Sequence, residues 1–486
     1  MYMDSKEKKL EFYGGSAVSV LPFLIFIIIV IVLSLQNVFS MDALIAGAVV
    51  GMVVGMLFAK NWIQYWEEAA RGIRESPIYL TILIFFLAGI FGDIMSSSGL
   101  AEGFVWLGKS INLTGAAFTT FTFIACAILG IATGTSVGTI VTMTPVLFPA
   151  GIILGANPIY LTGAILSGAA VGDNFAPVSD TTIISAMTQP YSRKDGYADI
   201  GGVVRSRIKY TVIASAIAIV LYLILGGGGS TIGGEEVVGM LEQHSNPKAL
   251  LMLIPVSIVI YLAISNRGIF VALAGGIISG TIIGLASGLL HFKDFIYIEN
   301  GDPRGILTEG ISGMYGVILI VAAVVAILGI MNASGVLQLF ILWCKKSFVK
   351  SPTGAEMVMF VNTTLWNFLT AGVTTTSVAI CGPINSELGQ IYDIHPYRRA
   401  NITDALANTL SYFMPWSAFI MIFTGVAGGV LDKYPFVTIP QPSQLFFAVF
   451  YPLALWFVML ISIITGYGRE YEGEAGEVIY KRYGAN

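Results

Sequence analysis

Charge is what this sequence has least of. Of its 486 residues only 11% are Asp, Glu, Lys or Arg, while 56% are hydrophobic, and the mean hydropathy is +0.81. Soluble domains carry about 25% charged residues, so the composition excludes that class and describes a polytopic membrane protein. Cysteine is nearly absent: Cys126, Cys344 and Cys381 are scattered, lack metal-ligand spacing and form no disulfide framework, so they read as reduced packing residues. The three histidines, His244, His291 and His395, fall in loops, no two at the spacing of a metal site. No Walker A sequence, GxSxG elbow or HExxH pair occurs, which argues against ATP-driven transport and the common hydrolase chemistries and points to an ion gradient as the energy source. No cofactor is implied. A net charge of −4 suggests neither a nucleic-acid partner nor a polybasic lipid anchor.

Long apolar runs are abundant instead. A helical crossing of a bilayer takes about 17 to 25 residues. Apolar cores that reach this length, some only with their flanks, span 21–35, 43–59, 79–94, 118–131, 212–225, 250–264, 269–290, 317–331 and 446–465. A β-barrel would show short alternating segments, so the spans are helical. Segments 101–111 and 337–344 are too short to cross and fit half-crossing hairpins or surface helices. The N-terminal MYMDSKEKKLEF precedes an apolar run too long for a signal-peptide core and without a small-residue cleavage site, and reads as part of a retained signal anchor.

The chain repeats itself. A constant shift of 238 positions pairs Gly134 with Gly372, Pro145 with Pro383, Pro158 with Pro396, Phe175 with Phe413, Pro177 with Pro415 and Ser179 with Ser417, without a gap. Upstream, a shift of 236 pairs IMSSSGL from Ile94 with IMNASGV from Ile330. A collinear series with three prolines and a glycine is the mark of an internal repeat. Lys and Arg in short loops favour the cytoplasm. The basic segments are the N-terminus, the loops with Lys60, Arg71 and Arg74 and with Arg193, Lys194, Arg205, Arg207 and Lys209, then Arg267, then Lys345, Lys346 and Lys350, then Arg398 and Arg399. The central linker and the segments near Glu299 to Glu309 and Asp432 are neutral to acidic. Placing the basic loops inside makes the first helix of one half run outward and the first helix of the other run inward, so the halves are inverted.

The expected fold class is therefore an all-α polytopic membrane protein of two inverted-topology repeats, with interrupted helices and re-entrant hairpins and roughly 11–14 membrane segments. Its expected parts are a cytoplasmic segment 1–15, a first transmembrane repeat 16–225, an extracytoplasmic linker 226–248, a second, inverted repeat 249–467 and a cytoplasmic tail 468–486. Such a chain sits in the cell membrane with both termini in the cytoplasm, in contact with the lipid bilayer, and is compatible with a homodimer. Inverted repeats with interrupted helices are the architecture of secondary transporters, whose site lies near the midplane where the halves meet. A channel can share the inversion, whereas a membrane enzyme does not need it.

Intramembrane carboxylates are costly and therefore functional candidates. In GDNFAPVSDTT, residues 172–182, Pro177 should end the helix that starts near Ile159. The freed carbonyls then join Asp173, Asn174, Ser179, Asp180, Thr181 and Thr182 as oxygen ligands of the kind a hard cation such as sodium takes, with Asp173 and Asp180 as the charged pair. The plainer alternative is a helix cap with solvated acids. In the second half Asp173 and Asp180 are replaced by Ser411 and Ala418, and the polar residues Asn401, Asp404 and Asn408 share one helical face that should look at the first-half break. That segment also fits an amphipathic helix end at the cytoplasmic surface. The blocks Thr135, Ser136, Thr139 and Thr374, Thr375, Thr376, Ser377 either line a ligand or let helices pack closely. Asp93, paired with Gly329 in the repeat, is either a proton-carrying carboxylate or a helix-end residue in water. Glu102 and Glu356 read as solvated.

GDNFAPVSDTT resembles the GD-x-x-S-P-x-SDTT signature of the NhaC-type sodium/proton antiporters, a family of the ion transporter superfamily, and the Asn401, Asp404, Asn408 segment, length and hydropathy extend the likeness over nearly the whole chain. Ala176 departs from the signature, which has serine before the proline. The resemblance implies sodium and protons as transported ions, with one carboxylate, Asp173 or Asp180, alternately binding each. Relatives that exchange organic anions with sodium and protons, or that carry amino acids, imply a rival: a sodium- or proton-coupled carrier of a small organic solute, such as malate, lactate or an amino acid, with Trp416 lining a larger pocket. An arginine should hold a carboxylate cargo, and none lies deep in the expected spans.

Overall fold

The computed structural model describes residues 9–36, 41–75, 78–228 without 112, 114 and 178, 246–336 without 266–268 and 300, and 349–480 without 371, 432, 433, 435 and 436. The 337–344 segment, Cys344, most of the 226–248 linker, and Arg267, Lys345 and Lys346 lie outside the described residues. The apolar runs fold as helices. The first half holds α1 (Leu21–Leu35), α2 (Met41–Met56), α3 (Trp62–Glu75), α4 (Ile78–Ser97), α5 (Leu100–Ser110), α6 (Gly115–Thr133), α7 (Ser136–Ile153), α8 (Pro158–Phe175), α9 (Asp180–Met187) and α10 (Ile200–Leu225). The second holds α11 (Leu253–Ile264), α12 (Ile269–Ser287), the one-turn α13 (Phe292–Phe295), α14 (Ile306–Ser312), α15 (Tyr315–Ala333), α16 (Pro352–Leu369), α17 (Thr374–Gln390), α18 (Pro396–Ala407), α19 (Ala418–Val430) and α20 (Phe450–Thr465). Two short antiparallel hairpins, β1 (Tyr297–Glu299) with β2 (Asp302–Arg304) and β3 (Tyr471–Glu472) with β4 (Val478–Ile479), are the only paired strands among the described residues. The chain is an all-α membrane protein. Five described helices are long and apolar enough to cross a bilayer, or six when Ile82–Ser97 and Leu100–Gly108, which meet at 54°, count as one bent span. The 101–111 segment is thus the second limb of a bent pair.

Helix α3 forms inside a stretch read from the sequence as a basic loop. Its apolar residues alternate with charges, so no long apolar run marks it. Tyr65 and Ala69 are buried while Trp62 and Ile63 are exposed, and Gly72 lies backbone to backbone against Gly329 of α15. An amphipathic period of this kind is invisible to a count of consecutive apolar residues.

The 238-position repeat reappears in the backbone. Helices begin at Ser136 and Thr374, at Pro158 and Pro396, and at Asp180 and Ala418. Gly134 and Gly372 both have positive φ, 65° and 81°, and so do Gly155 (79°) and its counterpart Asp393 (52°), the only non-glycine residue with positive φ among those described. Asp tolerates that conformation because its short side chain bonds locally. Asn157 and His395 each cap the helix that follows them. Pro145 and Pro383 each sit inside a helix. The halves diverge at the break: α8 runs unbroken to Phe175, whereas α18 stops at Ala407 and a single 3-10 turn, Leu410–Tyr412, follows. Asn408 caps the end of α18. Its Nδ2 bonds the Asp404 carbonyl at 3.0 Å and the Asp404 carboxylate at 3.2 Å, offering the backbone an alternative to helix.

Glu356 is not solvated: it is fully buried, and both its oxygens are taken. Arg398 donates to it through Nε at 2.8 Å and Nη2 at 3.2 Å, and Arg469 adds a bond at 2.9 Å. The reason is tertiary. Residue 356 lies only one turn into α16, but α18 and the segment after α20 fold over that turn. Glu102 is half-buried and accepts a hydrogen bond from the Tyr434 hydroxyl at 2.8 Å.

Glycine sets how closely α6 and α8 approach. A Cβ at Gly172 would stand 2.4 Å from the Gly130 backbone, and one at Gly168 2.4 Å from Cys126 Cβ. Backbone leaves no flexible end to yield, so Gly172→Ala should lower stability by about 1–3 kcal/mol. Thermal unfolding in detergent measures this, with Gly428→Ala, whose Cβ would meet nothing within 4 Å, as the unchanged control.

Candidate functional site

The break after α8 follows the sequence. Ala176 is forced extended (φ −70°, ψ 128°) by the proline that follows it, and α8 ends at Phe175. Helix α9 restarts at Asp180, with Ser179 as its cap residue. Two carbonyls freed by the break are already occupied. Thr181 and Thr182 hydroxyls point to the Asp173 carbonyl at 3.2 and 3.5 Å, and Arg207 donates to the Asn174 carbonyl. Ser179 bonds Thr181 hydroxyl to hydroxyl at 3.1 Å.

Asp173 is buried among neutral partners. Its Oδ1 accepts the Ser136 backbone N–H at 3.1 Å and its Oδ2 the Tyr412 hydroxyl at 3.0 Å; the Ser136 and Tyr412 hydroxyls also bond each other. Ser136 is the first residue of α7, so the carboxylate lies against a helix N-terminus, where the peptide dipoles favour negative charge. Tyr412 comes from the other half. Thr135 caps α7, and Thr139 bonds back to the Thr135 carbonyl at 2.9 Å. In the second half Gly372 packs against Ser411, the repeat partner of Asp173, at the same place in the backbone. No described hydrogen bond links Thr374, Thr375, Thr376 or Ser377 to either carboxylate.

The face Asn401, Asp404, Asn408 does look at the first-half break. Asn174 Nδ2 lies 3.5 Å from Asp404 Oδ2, and Asn408 Nδ2 lies 3.4 Å from Thr181 Oγ1. What the sequence reading missed is the cation at the centre. Arg207, taken for a loop residue, is 2% exposed in the second turn of α10 and pairs with Asp404. It also donates to Asn401 Oδ1 at 2.9 Å and Thr182 Oγ1 at 2.9 Å. Arg398 and Arg399 are fully buried as well. The expectation that no arginine lies inside is therefore wrong, because helices begin earlier in the polar sequence than apolar runs do. Three buried atoms of this network have no hydrogen-bond partner: Arg207 Nη2, Asn401 Nδ2 and Asn408 Oδ1.

Other candidates lie apart. Asp180 is exposed at the start of α9, where no described side chain pairs with it, and it shares no partner with Asp173. Pro177 is exposed. Trp416 is 8% exposed and packs edge-on against Phe368 at 5.2 Å, within an apolar cluster. Asp93 is half-buried and lines a cavity away from the break.

Comparison with known proteins identifies the family of the chain. The arginine/ornithine antiporter ArcD of Halobacterium salinarum is 26% identical over 401 residues, covering 79% of this chain and 81% of that protein. The Na+/H+ antiporter NhaC of Bacillus subtilis is 24% identical over 416 residues, covering 79% and 87%. The malate-2H+/Na+-lactate antiporter of the same species is 24% identical over 326 residues, covering 65% and 68%. The profile of the Na+/H+ antiporter family matches residues 13–227 and 197–458, nearly the whole chain. With its apolar helices, its broken segments and this match, the chain is a multi-pass membrane transporter that belongs to the Na+/H+ antiporter family.

Proposed function

We propose that this chain exchanges sodium for protons across the cell membrane, with Asp173 as the group that carries each in turn. One observation carries the reading: of the two buried carboxylates at the break, Asp404 already has its cation in Arg207, while Asp173 has only neutral donors. A buried charge without a counter-charge costs several kcal/mol, so Asp173 must take up either a proton or a cation. One group that cannot hold both gives obligatory exchange. Asn174, Ser179, Thr181, Thr182, Asn401 and Asn408 shape the site around it, and Asp180, exposed at the start of α9, is a staging residue for ions. The halves are inverted in this proposal, with both termini in the cytoplasm and access changing by movement of one half against the other.

Sodium-driven proton movement in proteoliposomes tests it. Asp173→Asn should reduce this flux to that of empty vesicles, while Asp180→Asn retains it. Undiminished flux in Asp173→Asn would remove Asp173 from the mechanism.

A second reading has its own support. The unpartnered Arg207 Nη2 and Asn401 Nδ2 are two buried donors beside each other's network, which suits a carboxylate of an organic solute. Uptake of labelled malate or arginine, with no sodium-dependent proton flux, would favour it.

The Arg207–Asp404 pair makes a separate prediction. Arg207→Met alone should cost on the order of 3–5 kcal/mol by leaving Asp404 buried and uncompensated. Adding Asp404→Asn should recover most of that loss in thermal unfolding, since the double variant buries no charge there.

A further inference from the structure

One side chain stands inside the second break. In a continuous helix the N–H of residue 411 would bond the carbonyl of residue 407, four positions earlier. Here the amide of Asn367, from α16, lies between the two groups: its Oδ1 accepts the Ser411 N–H at 2.8 Å and its Nδ2 donates to the Ala407 carbonyl at 2.6 Å. Nδ2 also donates to the Ser411 hydroxyl at 2.6 Å, and that hydroxyl donates to the Ala407 carbonyl at 2.7 Å. Only one orientation of the amide satisfies this set, because a flip would turn a donor on the Ser411 N–H. Asn367 is 1% exposed, so solvent offers it no alternative partners. A side chain inserted into the helix ladder is a sufficient cause of a break.

The first half has no such wedge. Under the shift of 238, Leu129 stands where the second half has Asn367, and Ala169 and Asp173 stand where it has Ala407 and Ser411. Helix α8 is continuous through those positions, and Leu129 is a buried apolar residue. Amide goes with the open helix and leucine with the closed one. What the wedge displaces is Tyr412, whose first-half counterpart, Asn174, stays within α8. Tyr412 lies in the 3-10 turn that follows the opened bond, next to Ser411. Its ring stacks on Phe419 of α19, centroid to centroid at 4.3 Å and 4° from parallel, and its hydroxyl crosses to Asp173 Oδ2 at 3.0 Å. Phe419 thus sets the plane of the ring, and Asn367 sets where the side chain starts.

We propose that Asn367 is a positioning residue for the exchange: its amide holds the second-half helix open, so that Tyr412 reaches Asp173 and keeps the carboxylate available to sodium. This rests on the reading of Asp173 given above, and the test separates the two. Dicyclohexylcarbodiimide attacks buried carboxyl groups in the protonated form, which the Tyr412 bond opposes, and the labelling that disappears in Asp173→Asn measures Asp173 alone. In detergent, Asn367→Leu and Tyr412→Phe should each speed that labelling several-fold, and the double variant should be no faster than the faster single, because both changes act through one hydroxyl. In proteoliposomes, Asn367→Leu should raise the half-saturating sodium several-fold with little change in the maximal rate. Asn367→Ala removes the amide without adding bulk and gives the same reading should the leucine variant not fold. Labelling at the unmodified rate in both Asn367 variants, or effects that multiply in the double variant, would overturn the proposal. Faster labelling that does not multiply, in a protein that moves no protons with sodium, would sustain the role of Asn367 at Tyr412 and defeat the exchange reading instead.

Discussion

A carboxylate buried without a cation governs this structure, because nothing else in the core asks so much of its surroundings. Asp173 is tolerated through three independent arrangements. Glycine at 172 lets α8 press against α6 backbone to backbone beside the carboxylate. Pro177 ends α8 two residues past Phe175 and frees the turn in which Asp173 sits. The N-terminus of α7 and a tyrosine from the opposite half then supply the donors. Remove any of these and the charge has no place, yet none of them is a charge. That is the condition under which a site binds and releases a cation: donors fixed by the backbone are strong enough to hold the anion and too weak to replace a counter-ion.

The two halves share a backbone and divide the chemistry. Equivalent helices start 238 positions apart, with the same left-handed residues before them, yet one break carries Asp173 and the other carries Ser411. The second half places its acid, Asp404, nearly two turns earlier in its helix, where Arg207 of the first half reaches it. Exchange of partners across the halves makes each break incomplete alone. Tyr412 completes the first-half carboxylate, and Arg207 and Thr181 complete the second-half face. Any relative motion of the halves therefore changes the environment of both acids together.

Much of this was legible in the sequence, and for a physical reason. Prolines, glycines and the shift of 238 record backbone constraints, and these are local, so the broken helix, the repeat and the face Asn401, Asp404, Asn408 could be read directly. Ion pairing is not local. Arg207, Arg398 and Glu356 carry the same letters whether they lie in a loop or a core, and only the fold decides. The rule that basic residues mark cytoplasmic loops sorted them with the solvated lysines, and it thereby hid the one arginine that matters at the site. Helix α3 was missed on other grounds, since alternation rather than run length marks it.

Why the missed arginine bears on mechanism follows from charge. With Arg207 absent, two buried acids at one break would repel, and a cation would be shared between them. With it present, Asp404 is fixed as a neutral unit, and the site presents one negative charge instead of two. A single carboxylate balanced by one proton or one sodium ion can cycle without leaving net charge in the membrane interior. In the proposed exchange, Arg207 thus sets the valence of the site. Its remaining unpartnered nitrogen, Nη2, is a buried donor that ion exchange leaves unused, and it is the atom the organic-solute reading would turn on a carboxylate.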